Sequence, residues 1–328
     1  MRVKVTTMAG TYDVTELLTT YTWSGGKDRC ARGLDFTMAV SELDPGLARV
    51  DCPLGSAVQL LDDGGTALWT GYVVQRKKDS QGVVLTHRCL DRGMYLANNY
   101  GWYTFKSDTA ESAVRRVCGD FGIPVGSLAA TGVKVGRKFA GVALHKIVTT
   151  LYALAGEQTG ARYMVRFDGA GALHVLERAE AASGLVLAPK VNVMSSSVTE
   201  SIEKMCNSVA VYDQQGNRLR VLEDADAVAA YGLMRRVVTQ AKGKDAAGEA
   251  QALLDDGGVS QSIDVECLGD VRLIAGETVE LRETSTGLSG VFWVDEDVHT
   301  WKNGQYVCRL SLNLRNVVDE SKAGTEVE

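Results

Sequence analysis

"GTALWTGYVVQRKKDSQGVVLTHRCLD", residues 65–91, reads as two strands around a polar turn. Near the other end, "STGLSGVFWVDEDVHTWKNGQYVCRLSLN", residues 285–313, has the same plan: a Gly-led apolar strand, a polar turn with its own Gly, then an alternating strand. Upstream of each lies a further match. "LGSAVQLLDD" from Leu54 and "AGETVELRET" from Ala275 share Gly-x-x-Val-x-Leu, followed after a short turn by Gly71 and Gly290. The repeated order has two readings: duplication of one β-barrel, or coincidental hairpin chemistry of a kind that β proteins often carry. Under the first, two versions of one barrel enclose an α+β insert.

The segments between fit that plan. In the first 95 residues the candidate strands are Arg2–Thr6, Leu34–Val40, Ala57–Leu61, Trp69–Lys77 and Gly82–Leu90, with SGGKD, LDPG and DDGG as turns. From Asp108 the apolar period becomes helical through Ala110, Ala113, Val114, Val117, Cys118 and Phe121, with Asp108 as N-cap, Glu111 completing a capping box and Gly122 closing the segment. A second helix carries Leu144, Ile147, Val148, Leu151 and Leu154 on one stripe and stops at Gly156. "ARYMVRFDGAGALHVLER" is a hairpin turning on Asp168, Gly169 and Gly171, and a second hairpin turns at Gln214–Asn217. A helical turn at Asp226–Tyr231, a covering helix at 245–254 and the alternating strand Tyr306–Leu314 complete the chain. The expected fold class is thus β-rich α+β: a first barrel at 1–95, a small α+β domain at 96–190 and a second barrel at 191–328.

Composition narrows the function. With 328 residues, 45% hydrophobic and 23% charged, the chain has the balance of a folded globular protein. A net charge of −6 with mixed signs offers no basic field for nucleic acid or anionic lipid. No signal-peptide pattern opens the sequence, and no stretch is apolar enough for membrane insertion. Seven Cys stand singly (Cys30, Cys52, Cys89, Cys118, Cys206, Cys267, Cys308), a spacing that favours reduced core thiols over zinc clusters or disulfides.

Catalytic motifs are not found. SGGKD departs from a phosphate-binding loop at Tyr21 and Asp28, and DGAG lacks the helix-opening continuation of a dinucleotide loop. His87, His145, His174 and His299 lack metal-site spacing; His145 reads as a boundary residue, and His87 and His299 as packed or surface residues. Asp62, Asp63 and the run Asp295, Glu296, Asp297 read as solvated turn charges, because adjacent strand residues face opposite ways. No nucleophile elbow is present, so no cofactor, metal or catalytic residue is expected. Trp69 and Trp293, in the paired hairpins, read as core packing or as aromatic anchors of a protein interface.

The order of several segments resembles the YqbQ/XkdQ-like baseplate hub proteins of contractile phage tails and related phage-tail-like bacteriocins. The matching stretches are "DVTELLTTYTWSGGKDRCARGLDF", "DRGMYLANNYGWYTFKSDTAESAVRRVCGDFGIPVG", "SIEKMCNSVAVYDQQGNRLRVLED" with "YGLMRRVV", and the closing "AGETVELRE" with "GVFWVDEDVHTW". They cover nearly the whole chain; each is made of common residue types, so order and spacing carry the specificity. The resemblance implies a non-enzymatic homotrimer in the baseplate, assembled in the bacterial cytoplasm. Two tail-tube-like barrels per chain would make a ring of six, adapting a sixfold tail tube to a threefold central spike. Implied partners are the tail tube protein, the spike, other baseplate proteins and the tape measure, with no specific nucleic-acid binding. Because edge pairing closes tube walls, the expected contact regions are Trp69–Lys77 and Phe292–Trp301, represented by Trp69, Tyr72, Lys77, Phe292, Trp293 and Trp301. An acidic balance suits a conduit that must not retain its cargo. A tail-tip peptidoglycan hydrolase and a carbohydrate-binding β module are the alternative functions.

Overall fold

The computed structural model describes residues 1–41, 44, 46–78, 84–178, 183–241, 245–283, 286–314 and 322–327. Two compact units are present, Met1–Ser196 with Asp264–Glu328, and Ser197–Ile263. Gly82, Leu43 and Pro45, from one expected strand and the LDPG turn, lie outside the described residues.

Strands β1 (Arg2–Thr7), β2 (Gly10–Asp13), β3 (Leu18–Gly26), β4 (Gly33–Ala39), β5 (Ala57–Leu61), β6 (Ala67–Lys78) and β7 (Val84–Leu90) lie in the order β3-β4-β7-β6-β5-β1-β2. Alternation along them buries Val3, Val5, Phe36, Met38, Val58, Leu60, Trp69 and Val73 in one core. The strand β3 is absent from the sequence expectation, which read its last glycines as a turn. Ser24, Gly25 and Gly26 are instead strand residues, and the turn begins at Lys27. Gly25 leaves room for a close approach: a Cβ there would lie 2.2 Å from the Arg32 guanidinium.

Next come α1 (Gly93–Asn98), β8 (Tyr100–Thr109), α2 (Ala110–Asp120), β9 (Val125–Leu128), β10 (Lys134–Ala143), α3 (Leu144–Thr159), β11 (Tyr163–Phe167) and β12 (Leu173–Glu177). Most of both expected apolar stripes is buried, with Val114 and Val117 of α2 and Ile147 and Leu151 of α3 in one core, but Phe121 lies exposed just past the end of α2 and Leu154 is half-buried. Their ends differ from expectation. β8 runs through Asp108, so Thr109 caps α2 by accepting from the Ser112 N–H, while Glu111 binds the Thr131 hydroxyl. α3 continues past Gly156 to Gly160, whose φ of +77° ends it. Gly156 serves packing: a Cβ there would stand 2.6 Å from the Ala161 carbonyl oxygen.

β13 (Val186–Leu187) and β14 (Val193–Ser201) follow. Within the second unit, β15 (Ser208–Tyr212), β16 (Arg218–Glu223), α4 (Ala225–Tyr231), β17 (Arg235–Thr239) and α5 (Ala247–Asp255) form a three-stranded sheet, with α5 packed on β15 and β16 through Ala250. The hairpin turn expected at Gln214–Asn217 is held by Asp213, whose carboxylate accepts from the Gln215 and Asn217 amides. α5 starts two residues after the expected Asp245, which accepts from the Ala247 N–H.

The last strands are β18 (Ser260–Leu268), β19 (Thr278–Glu283), β20 (Leu288–Lys302), β21 (Gln305–Asn313) and β22 (Thr325–Glu326). β22 joins β10 and β8 in a separate sheet; the others extend the first sheet as β14-β18-β21-β20-β3, with β19 beside β20, because β20 pairs antiparallel with β3 from Glu296↔Gly26 to Lys302↔Thr20. Among the described residues the order does not return on itself, so two closed barrels are not observed. The cause is the length of β20: its first part lies beside β19, and the rest outruns that neighbour and takes β3 on the same edge.

The two halves nevertheless repeat. Ala57 and Ala67, which open β5 and β6, have Thr278 and Leu288 as counterparts 221 residues later. Gly55 N–H donates to Val73 O (2.8 Å) and Val73 N–H to Ser56 O (3.0 Å); Gly276 donates to Val294 (3.0 Å) and Val294 to Glu277 (2.9 Å) at the same offset. Gly55 and Gly276 share a positive φ, +82° and +97°. A bulge falls between Val73 and Gln75 and again between Val294 and Glu296. These backbone features share one offset, which favours a repeated unit over chance hairpin resemblance. The register also corrects one match. Val58 faces Gly71 and Val279 faces Phe292, so Gly290 corresponds to Trp69, not to Gly71. The order of aromatic and glycine is reversed between the halves.

Candidate functional site

The pairing of β3 with β20 unites the halves, and its interior is polar. Asp297, read from sequence as a solvated charge, is fully buried, as is His299 two residues on. Alternation along β20 sends both to the same face. Arg32 grips Asp297 with two bonds, Nη1 to Oδ1 at 2.9 Å and Nη2 to Oδ2 at 2.5 Å, and the Ala275 N–H donates to Oδ1 at 2.7 Å. Asp295, also buried, is held by Arg178 (3.1 Å), Lys27 (3.3 Å) and Asn313 (3.0 Å). Thus Asp295 and Asp297 are paired interior charges, a correction to the turn-charge reading, whereas Glu296 between them is exposed and meets Arg29 at 3.4 Å.

His299 extends the network. Its Nε2 lies 3.3 Å from Asp297 Oδ2 and 3.2 Å from Leu273 O; its Nδ1 lies 2.8 Å from the Tyr306 hydroxyl and 3.0 Å from Cys308 Sγ. Burial opposes charge on both His299 and Asp297, but the opposing effect of neighbours is larger. Bonds to Asp297 and Cys308 leave His299 above its ordinary pKa, and the Arg32 and His299 charges leave Asp297 below its own. Cys308 is lowered by the Cys267 thiol and His299, while Cys267 rises. Around this core Tyr21, Trp301 and Tyr306 stack at 4.8 and 4.2 Å, and Arg32 lies 4.1 Å above Trp23. Cysteine, histidine and aspartate in series have the order of a nucleophile, base and orienting acid. All three are fully buried, so the arrangement fastens strands instead of meeting a substrate.

A second constellation lies on the surface of the middle segment, where sequence alone could not assemble one. His174 Nδ1 receives the Ser127 hydroxyl at 2.8 Å, and its Nε2 lies 3.0 Å from Asp168. The Ser127 backbone N–H also donates to Nδ1, at 3.1 Å, occupying the lone pair a general base would use. Asp168 additionally holds the Ala170 and Ala172 amides of its hairpin turn. These bonds brace β9 against the turn between β11 and β12.

The six expected contact residues divide by burial. Trp69, Phe292 and Trp301 are buried; Tyr72 and Trp293, which share one position of the repeat, are half-buried, and Lys77 is exposed. His87 is packed, stacked on Phe36 at 4.7 Å, and burial pushes its pKa down to about 4. Its strand partner is Arg76, as Leu310 is partnered by Asp297, so Leu310 is its counterpart. The seven Cys are free thiols. Among the described residues no helix is long and apolar enough to cross a membrane.

The XkdQ protein of the phage-like element PBSX of Bacillus subtilis (strain 168) is 23% identical over 265 residues, covering 78% of this chain and 81% of that protein. A 43 kDa tail protein of prophage MuSo2 from Shewanella oneidensis superposes with a TM-score of 0.72 at 14% identity, over 95% of this chain and 97% of its own. The E. coli c3393 protein, a type VI secretion component described as similar to T4 tail proteins gp27 and gp5, gives 0.55 at 10% identity, over 95% and 76%. The fold is therefore one found in phage tail proteins, and the sequence pattern of a single family spans residues 21–313, both repeats included. The chain belongs to the YQBQ-like family.

Proposed function

We propose that this protein is a structural, non-enzymatic baseplate hub, a homotrimer whose repeats form a pseudo-sixfold ring between a sixfold tail tube and a threefold spike. The repeat at a constant offset of 221 residues, Gly55 with Gly276 and Val73 with Val294, carries the reading. Three chains of two similar modules present six near-equivalent faces and keep threefold differences elsewhere, which one module per chain could not do with one sequence. Residues 1–95 and 191–328 supply the modules and 96–190 the α+β insert between them. The tail tube, spike, other baseplate proteins and tape measure are the partners, in a phage tail or tail-like particle assembled in the bacterial cytoplasm. Tyr72, Lys77 and Trp293 are the proposed outward contacts, with Trp69, Phe292 and Trp301 shaping them from inside. The net charge of −6 suits a lining that repels DNA.

Light scattering on the purified chain, alone and with its genomic neighbours co-expressed, tests the ring. The expected mass is three times the 35.2 kDa of one chain. A single chain under both conditions refutes it.

A further inference from the structure

On one edge β20 carries β19 along Leu288–Trp293 and then β3 along Glu296–Lys302, with β21 on its other edge. Its counterpart β6 carries β5 along Ala67–Tyr72 and β7 on the other edge. Past the shared bulge, Gln75–Lys78 has no strand, among the described residues, where β20 has β3.

The missing neighbour has a counterpart as well. From β6 the order runs β7, β4, β3; from β20 it runs β21, β18, β14, so β14 takes the place of β3. Both are hydroxyl-rich, LTTYTWSGG and VMSSSVTES. The outer edge of β3 is filled by β20. That of β14 holds, among the described residues, one isolated bridge from Val193 to Pro189.

We infer that residues Gln75–Lys78 of one chain pair antiparallel with β14 of a second copy, repeating between chains the β20–β3 pairing made within each chain. This rests on the proposed ring and supplies its joint. Two observations beyond the open edges favour a second copy as the occupant. Asp297 and His299 are fully buried by the internal pairing, whereas their counterparts Arg76 and Lys78 are half-buried and exposed. Charge is also complementary: in this register Arg76 would lie opposite Glu200 of β14. In the single chain Arg76 pairs, among the described residues, with an exposed Asp51, at 2.7 Å. The joint links different surfaces of successive copies, so it closes when the rotation per copy is a third of a turn.

Cysteine cross-linking reads the joint directly. Val298, the counterpart of Lys77, faces Ser24 in the internal pairing. Lys77→Cys would be combined in turn with Val198→Cys, Thr199→Cys and Glu200→Cys, which spans one residue of register either way. After mild oxidation, one combination should give disulfide-linked dimers and trimers on a non-reducing gel, at least tenfold above either single variant and the unaltered chain. A trimer by light scattering in which none of the three combinations links chains overturns the pairing and leaves the ring standing. A chain that stays single even with its neighbours removes the ring and the pairing together.

Discussion

Replacing His87 with Leu, the residue its counterpart Leu310 already supplies, should abolish an acid sensitivity built into the first repeat. His87 is fully buried and stacked on Phe36. Burial, helped by the Arg76 charge, brings its pKa from 6.5 in the unfolded chain to about 4. The unfolded state therefore binds the proton first, and acidification between those values favours unfolding. At about pH 5 the linkage amounts to roughly 2 kcal/mol relative to neutral pH, and at about pH 4 to roughly 3 kcal/mol. Other titrating groups act alike in both proteins, so the difference between unaltered chain and variant isolates this one. Urea unfolding followed by tryptophan fluorescence at about pH 7 and pH 5 measures it. His87→Leu should gain about 2 kcal/mol on the unaltered chain over that interval, and His87→Phe, which keeps the stacked ring, should do the same. Parallel loss of stability in all three would refute the buried neutral imidazole.

Asp297→Ala leaves the Arg32 guanidinium and the Ala275 N–H without their acceptor in a closed interior, so a loss of about 3–5 kcal/mol is expected in the urea midpoint. A loss below about 1 kcal/mol would show the network to be solvated. The raised pKa of His299 gives a contribution complete below its unfolded value and lost as pH climbs through the folded one. The stability difference between the unaltered chain and His299→Gln should accordingly shrink as pH rises above about 6.5. Gly169→Ala would set a Cβ 1.8 Å from Ala67 O and break the 2.6 Å bond from the Thr70 hydroxyl to Gly169 O. Amide exchange in β11–β12 should quicken, and unchanged protection would count against that docking. Gly160→Ala meets no side chain but forces a left-handed residue, costing about 1 kcal/mol in thermal unfolding.

Local chemistry made much of the fold legible. Val-rich alternation and Asp–Gly turns located β5, β6, β11 and β12 closely, and the apolar stripes of α2 and α3 were read correctly although both caps were not. Thr109 and Asp108 are both good caps, and only the reach of β8 decides between them. What stayed hidden was long-range. Three threonines and two glycines disguised β3, whose Gly25 makes room for Arg32 and whose partner β20 lies nearly the whole chain away. Asp297 looked like a surface charge because its acceptor duties come from Arg32 and Ala275, neither adjacent in sequence. The repeat was visible as a plan but misaligned by two residues, since Trp69–Gly71 and Gly290–Phe292 place the same aromatic–glycine pair in opposite order. Ser127, His174 and Asp168 meet only once β9 lies parallel to β12.

The β3–β20 pairing also sets a schedule for synthesis. Thr20 waits for Trp301, 281 residues further along. At roughly 5–20 residues per second, the N-terminal sheet leaves the ribosome with a Thr-rich edge and Tyr21 and Trp23 uncovered for roughly 15–55 s. During that interval any nascent chain on the same message offers an identical edge, and premature pairing between neighbours competes with completion of the chain. Slowed translation of the β18–β20 region should therefore lower the soluble yield more than an equal pause placed before β3 is made, when no such edge yet exists.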